Sequence, residues 1–159
     1  MAASALETRM CTIGLLETVK TGKKTGARHD RSAVRKSAGC VMDAVDVSVP
    51  ALRRFARETV SRWGVLSDDA DLALVVTELV GNVVRHSKGT EVCLLLSATA
   101  STLTVEVRDN GRWHDHPVPT PDELACSGRG LQLVKAYSAY VLVRTSTDGT
   151  RVVVTMQAS

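Results

Sequence analysis

Apolar residues recur every three or four positions in two stretches that follow residue 50. The first stretch opens at Pro50 and closes at Gly64, residues that suit the first turn and the end of a helix. The second follows Ser67-Asp-Asp-Ala70, whose side-chain oxygens can cap a helix N-terminus. Two helices are therefore predicted. Their core-facing positions are Leu52, Phe55, Ala56, Thr59, Val60 and Trp63 in the first and Leu72, Val76, Leu79, Val80 and Val83 in the second.

Strand patterns come after these helices. Residues 102–108 alternate strictly between apolar and polar side chains, which is typical of a half-buried strand. Residues 112–127 hold three of the four prolines and predict a loop. Further strands are predicted at 91–98, 140–146 and 151–157, and a third helix at 131–140. This order predicts an α+β fold of two layers, with helices on one face of a mixed, mostly antiparallel sheet.

The charge divides the chain into two parts. Residues 1–45 carry eight Lys or Arg against four acids, whereas the whole chain has a net charge of +3. We interpret residues 1–44 as a basic, flexible extension and 45–159 as one globular domain. A basic arm can also contact nucleic acid or an acidic partner. No recognition helix or zinc-finger pattern accompanies it, which argues against direct nucleic-acid binding.

The four cysteines are too few and too widely spaced for a metal site or a secreted disulfide scaffold. We interpret all four as reduced thiols in a cytoplasmic protein. No apolar stretch approaches the length of a membrane span, and the first residues lack a signal-peptide pattern. A membrane partner is therefore not expected.

Three polar or glycine-rich islands interrupt the apolar segments. Glu78 and Asn82 lie one helical turn apart on the second predicted helix, so both side chains leave the same face. A carboxylate and an amide stacked in this way can hold a hydrated cation or polarise a water molecule. Asp109-Asn-Gly111 ends a strand, and Gly128-Arg-Gly-Leu131 precedes a helix. Together the islands indicate a nucleotide site.

These islands resemble the asparagine box and two glycine boxes of the histidine-kinase-like ATPase superfamily, also called the GHKL or Bergerat fold. The resemblance covers residues 46–157, with the motifs in the expected order and spacing. Within the superfamily, Thr77-Glu-Leu-Val-Gly-Asn-Val-Val-Arg-His86 looks most like the anti-sigma-factor serine/threonine kinases. The resemblance implies the Bergerat ATP-binding fold, with ATP and Mg²⁺ as ligands.

The resemblance also implies a role for each matching residue. Asn82 would ligate Mg²⁺ through its amide oxygen, and Glu78 would act as a general base or orient the attacking hydroxyl. Asp109 would accept a hydrogen bond from the exocyclic amine of adenine, and Gly111 would let backbone approach the purine closely. The remaining predicted nucleotide-binding residues are Arg85, His86, Gly128, Arg129, Gly130 and Leu131. Residues 112–127 would form the lid, although they lack the extra glycines that many relatives place there.

Each residue also has a plain structural interpretation. Asn82 alone could bond to nearby backbone, Glu78 could be a solvated helix residue, and Asp109 could simply close a turn. The co-occurrence of three boxes outweighs the alternative for Asn82. For Glu78, its offset from the core-facing positions and its place one turn from Asn82 weigh against the alternative. His86 alone is more typical of a surface or capping histidine.

Two hypotheses of different classes follow from the resemblance. In the first, the chain is a regulatory kinase that transfers the γ-phosphate of ATP to a small anti-sigma-factor antagonist-like protein, binds a sigma factor, or does both. In the second, it is a non-catalytic module in which ATP orders a partner surface. Homodimers are common among the resembled kinases. A sensor histidine kinase is disfavoured, because the chain shows no phosphoacceptor-helix pattern.

Overall fold

The computed structural model describes residues 36–111 and 129–158, which form one five-stranded sheet and three helices. In chain order the elements are β1 (Lys36–Asp43), α1 (Ser48–Trp63), α2 (Ala70–His86), β2 (Glu91–Ala98), β3 (Thr102–Asp109), α3 (Arg129–Ala136), β4 (Tyr140–Ser146) and β5 (Gly149–Gln157). The predicted lid at 112–127 lies outside the described residues, as do residues 1–35.

The sheet has the strand order β1-β2-β3-β5-β4, and each of these four pairings is antiparallel. The predicted α+β fold class is confirmed, and no parallel pairing occurs among the described strands. β3 occupies the centre, with β2 and β5 on either side. The carboxyl end of β3, which carries Asp109, is therefore held from both sides.

Alternating burial along the strands shows which face the helices cover. Val92, Leu94 and Leu96 of β2 are buried with Val105 of β3 and Val154 of β5 in one apolar cluster. The predicted apolar stripe of α2 joins the same cluster, so the helices form the second layer. Val75 of α2 is also fully buried, although it is not among the core-facing positions predicted for this helix.

Local chemistry explains where the first two helices begin and end. Pro50 lies in the first turn of α1, and Gly64 ends that helix with φ +63°, in the left-handed region that favours glycine. At the start of α2, the Asp68 carboxylate accepts a hydrogen bond from the Ala70 N–H at 2.9 Å. Asp69 instead accepts one from Arg57 of α1 at 2.8 Å, which holds the pKa of Asp69 below its ordinary value.

The first strand corrects the predicted domain boundary. Residues 36–43 were assigned to the flexible extension, but they form β1 and pair along their whole length with β2. Ala38 and Cys40 of β1 are buried. The folded part therefore begins by Lys36, and the ladder of β2 supplies the hydrogen bonds that make this segment a strand.

Smaller differences concern the third helix and the cysteines. α3 ends at Ala136 rather than at residue 140, and Tyr137, just beyond its end, is exposed. Cys93 on β2 is a free thiol, as expected, whereas Cys40 is disulfide-bonded, so the interpretation of every cysteine as reduced is wrong for Cys40. None of the described helices is long and apolar enough to cross a membrane.

Candidate functional site

One face of α2 presents the predicted acid–amide pair together with an arginine. Nη2 of Arg85 lies 3.4 Å from Oδ1 of Asn82 and 3.9 Å from Oε2 of Glu78. The Glu78 side chain is half-buried and the Arg85 side chain is exposed, so this ion pair contributes little to stability. The oxygen atoms of Glu78 and Asn82 thus converge on one positively charged group, as they would on a cation.

A glycine on α2 gives the Arg85 side chain room to lie close to the helix. Gly81 is buried, and a Cβ at that position would lie 3.1 Å from Nη2 of Arg85. The Arg85 guanidinium therefore lies over Gly81, in space that a larger side chain at position 81 would partly fill. His86, also predicted to line the site, is exposed at the last position of α2.

Glu78 also contacts the start of α3. A Cβ at Gly130 would overlap the Oε2 atom of Glu78 in its present conformation, so the lack of a side chain at position 130 lets the carboxylate lie against the start of α3. The asparagine box and the second glycine box therefore meet in space. Leu131 is half-buried on α3, whose first residue is Arg129. Gly128 lies outside the described residues.

Asp109 lies at the other end of α2. Its Oδ1 atom accepts hydrogen bonds from the Ser87 hydroxyl at 2.9 Å and from the Gly111 N–H at 2.9 Å. Ser87 caps the C-terminus of α2, and Asp109 is the last residue of β3. The bond from Ser87 thus joins the end of α2 to the end of β3, which are 22 residues apart in sequence, whereas the bond from Gly111 is local.

The neighbouring Asn110 fastens the same two segments together. Its Oδ1 accepts hydrogen bonds from the backbone N–H groups of Thr90 and Glu91 at 2.8 and 3.0 Å, and its Nδ2 donates to Thr90 Oγ1 at 3.0 Å. A Cβ at Gly89 would lie 2.6 Å from Asn110 Oδ1. The loop after α2 is therefore packed tightly against the end of β3.

The helix α2 joins the two ends of the candidate site. Near the middle of α2, Glu78 contacts Gly130. At the C-terminus of α2, Ser87 bonds to Asp109. These positions are nine residues apart on α2, or about 13 Å along the axis at the helical rise per residue. An extended nucleoside triphosphate spans such a distance, so one ligand could reach both ends.

Sequence reasoning missed several residues that shape this site. The loop after α2 is joined to the end of β3 by Ser87, Gly89 and Asn110. Gly149 of β5 packs against the Asp109 backbone. A serine followed by a glycine two positions later, directly after a helix, was a turn signal that could have drawn attention to Ser87 and Gly89. The contact of Gly149 with Asp109 had no local signal, because it depends on strand order.

The donor set fits a magnesium ion that takes most of its ligands from elsewhere. Within residues 36–111 and 129–158, no cluster of three or more His, Cys, Asp or Glu side chains could hold a metal. Mg²⁺ prefers oxygen ligands and usually keeps waters and phosphate oxygens in its shell. The amide oxygen of Asn82, accessible on the α2 face beside Glu78, is compatible with one such protein ligand.

A concavity lies on the outer surface of α1, away from the residues of the candidate site. It measures about 750 Å³ and is lined by Arg53, Arg54 and Arg57 together with Asp69. It contains none of the residues of the three boxes. Its arginines are partly neutralised, because Arg57 pairs with Asp69 and Arg54 lies 3.9 Å from Glu58.

Comparison with known proteins agrees with this architecture. The family model described as histidine kinase-like ATPase domain matches residues 42–156. The chain therefore belongs to the histidine kinase-like ATPase domain family. Among solved structures, it is similar to Acinetobacter baumannii histidine kinase AdeS, with 14% sequence identity, a TM-score of 0.50, and coverage of 76% of this chain and 68% of that one. At that identity the likeness concerns the fold alone. No curated protein matches the chain by sequence.

Proposed function

We propose that this chain binds Mg·ATP along α2 and is a regulatory serine/threonine kinase of the anti-sigma-factor type. The observation that carries the proposal is that α2 contacts two of the other motifs. Glu78 of α2 contacts Gly130, and Ser87 at the end of α2 bonds to Asp109. Membership of the histidine kinase-like ATPase domain family supports nucleotide binding. The resemblance of residues 77–86 to the anti-sigma-factor kinases supports the finer assignment.

In this proposal the purine lies at the C-terminal end of α2. The Asp109 carboxylate can accept a hydrogen bond from an exocyclic amine, and a buried acceptor left unpaired costs about 1–3 kcal/mol. Gly111 is buried beside it, so backbone rather than a side chain faces the base. A base that lacks the amine would therefore bind more weakly.

The phosphates then lie toward Glu78 and the start of α3. The first N–H groups of a helix carry positive potential and suit anionic oxygens, and Gly130 allows close approach there. Asn82 would hold Mg²⁺, which when bound neutralises phosphate charge. Arg85 can leave its weak contacts with Glu78 and Asn82 to meet a phosphate.

The proposed reaction needs positioning and charge neutralisation more than covalent chemistry by the protein. A serine or threonine hydroxyl of the partner attacks the γ-phosphorus, the bond to the β–γ bridging oxygen breaks, and ADP leaves. Glu78 orients the hydroxyl and accepts its proton. Its carboxylate, held between Arg85 and Gly130, faces the region where the phosphates would lie.

The proposed partner is a small anti-sigma-factor antagonist-like protein, with a sigma factor as a second binding partner. Both would be cytoplasmic, where ATP is available. The second candidate function, an ATP-binding interaction module without catalysis, is favoured by one observation. Arg85 lies 3.9 Å from Glu78 and 3.4 Å from Asn82, so the acid can serve to orient Arg85 rather than to accept a proton.

Labelled ATP, Mg²⁺ and candidate antagonist proteins provide the test. Wild-type protein should transfer label to a serine or threonine of the cognate antagonist. Glu78→Gln should lower the transfer rate by about 100-fold, the usual loss of a general base, while Mg·ATP affinity changes little. Asn82→Ala should instead weaken Mg²⁺-dependent ATP binding by about tenfold or more, measured by calorimetry and thermal shift.

Glu58→Gln on the exposed surface of α1 is the matched control, because it removes the same charge away from the three boxes. It should leave both transfer and binding unchanged. ATP binding without transfer to any antagonist, and without ADP release in its presence, would support the interaction module instead. Absence of ATP binding would reject both functions.

A further inference from the structure

The Ser87 hydroxyl occupies the junction between the loop after α2 and the end of β3. It donates a hydrogen bond to Oδ1 of Asp109 at 2.9 Å and accepts one from the Gly89 N–H at 3.0 Å. The two bonds fix the hydroxyl in one orientation, because its proton is directed at the carboxylate and a lone pair is used by the backbone. Ser87 and Asp109 are 22 residues apart in sequence.

The hydroxyl leaves the two oxygens of Asp109 unequal. Oδ1 accepts from both Ser87 and the Gly111 N–H. Both hydrogen bonds that the described residues donate to this carboxylate are at Oδ1 rather than Oδ2. A carboxylate can turn about its terminal bond with little resistance, and these bonds hold it in one position. Among the described residues, the carboxylate is thus held through Oδ1, and Oδ2 is the oxygen left to accept from a ligand.

We propose that Ser87 is a specificity-determining positioning residue, which restricts Asp109 to one acceptor for the 6-amino group of a purine. This inference rests on the proposed nucleotide site. Adenine offers one exocyclic amine at that edge and needs one acceptor. Guanine instead carries two donors side by side, which a freely turning carboxylate can pair with both oxygens. Because Oδ1 already accepts from Ser87, Asp109 cannot pair both of its oxygens with the two donors of guanine.

Close packing supports the assignment to Ser87 in particular. A Cβ at Gly111 would overlap the Ser87 hydroxyl oxygen, and it would lie 2.8 Å from the Gly89 nitrogen. The hydroxyl reaches Asp109 because position 111 lacks a side chain. Ser87 donates its hydrogen bond to the Asp109 carboxylate, so the role proposed for it acts through Asp109, and it is a positioning residue.

The test compares dissociation constants for ATP, GTP and purine riboside 5′-triphosphate, which lacks the 6-amino group. In the wild-type protein ATP should bind more tightly than either analogue. Ser87→Ala should lower the preference for ATP over the desamino analogue about tenfold, since a hydrogen bond to a charged group is lost. The preference over GTP should narrow as well. Ser87→Thr, which keeps the hydroxyl, should retain both preferences.

Thr99→Ala is the matched control. Thr99 Oγ1 accepts hydrogen bonds from the backbone N–H groups of Ser101 and Thr102 in the turn at the opposite end of β2 and β3. Its removal should leave the preferences unchanged. Because each preference is a ratio measured within one variant, a smaller folded fraction of Ser87→Ala cancels.

If Ser87→Ala weakened the binding of ATP and of the desamino analogue equally, the hydroxyl would have a purely structural role. That result would overturn this inference and leave the proposed function standing. An unchanged preference in that variant would overturn it too. If the wild-type chain bound none of the three nucleotides, the proposed function would fail and the inference with it.

Discussion

At the scale of single residues, Glu106 shows how one acid organises the face of the sheet that the helices leave uncovered. It accepts two hydrogen bonds from Arg151 at 2.8 Å each and a further one from Arg108. Burial by itself would raise the pKa of Glu106, but the bonds from Arg151 and Arg108 outweigh it and hold the pKa below the ordinary value. Arg108 and Arg151 are direct neighbours in the β3–β5 register, so Glu106 also relieves their repulsion.

This lowered pKa predicts a dependence of stability on acid. A carboxyl group whose pKa is lower in the folded state stabilises that state above its ordinary pKa of about 4.5, and the contribution disappears as the pH falls through the lowered value. Glu106→Gln should therefore lower the unfolding midpoint by about 3 °C at pH 7. The difference from wild type should shrink steadily below about pH 4.5, as followed by circular dichroism.

The comparison variant for this experiment is Glu58→Gln. The Glu58 carboxylate lies 3.9 Å from Arg54, and both side chains are mostly exposed. Its midpoint should follow that of the wild type at every pH. A Glu106→Gln midpoint that stays equally far below wild type down to pH 2 would contradict the assigned role of the charge.

At the scale of elements, two glycines with positive φ do different work. Gly64 ends α1 at φ +63° with open space around the position of a Cβ. Gly149 has φ +137° at the start of β5, and a Cβ there would overlap the carbonyl oxygen of Asp109. Gly64 is favoured only by its left-handed backbone conformation. Gly149 also lacks the side chain that would prevent the β4–β5 hairpin from packing against the end of β3.

Substitution by alanine should separate these two roles. Gly64→Ala should lower the free energy of unfolding by about 1 kcal/mol, the cost of a left-handed alanine. Gly149→Ala adds a backbone overlap to the strained φ and should cost about 3 kcal/mol or more. Urea unfolding with unchanged m-values measures both. Gly64→Asn, which tolerates the left-handed region, should cost less than Gly64→Ala.

The prediction for Gly149 has a clear contrary result. Equal losses in Gly64→Ala and Gly149→Ala would mean that the backbone near Asp109 can move aside at no cost. The hairpin would then have no part in positioning the end of β3.

At the scale of the whole molecule, the sheet depends on a strand that the charge pattern assigned to an extension. β1 covers the edge of β2 over eight paired positions and places Ala38 and Cys40 in the core. An uncovered β2 would present unpaired N–H and C=O groups to other chains. β1 thus completes the core and pairs the backbone of the apolar strand β2, and β1 becomes the edge of the described sheet in its place.

Two truncated chains test the boundary. A chain that begins at Val45, just after the predicted extension, should unfold at a midpoint at least about 10 °C lower than the full chain and should aggregate. A chain that begins at Lys36 keeps β1 and should remain more stable than the shorter one. Equal midpoints for the two truncated chains, measured by calorimetry with light scattering, would show that β1 adds nothing to the fold.

The sequence by itself determined the parts of the structure that local chemistry controls. The three- and four-residue period predicted α1 and α2, because an amphipathic helix repeats at that spacing. Pro50 indicated the first turn of α1, which begins two residues earlier at Ser48, and Gly64 indicated its end. Strict alternation predicted β3 for the same kind of reason. The two-layer α+β fold then followed from the order of these elements.

Only the tertiary structure decided what depends on contacts between distant segments. Residues 36–43 contain Ser, Ala and Gly, which have little intrinsic preference for strands, and they become β1 because β2 pairs with them. The hydrogen bond from Ser87 to Asp109 and the contact of Gly130 with Glu78 join residues that no local pattern relates. Residue types mark chemistry along the chain, whereas the packing of α2 against β3 and α3 brings those atoms within bonding distance.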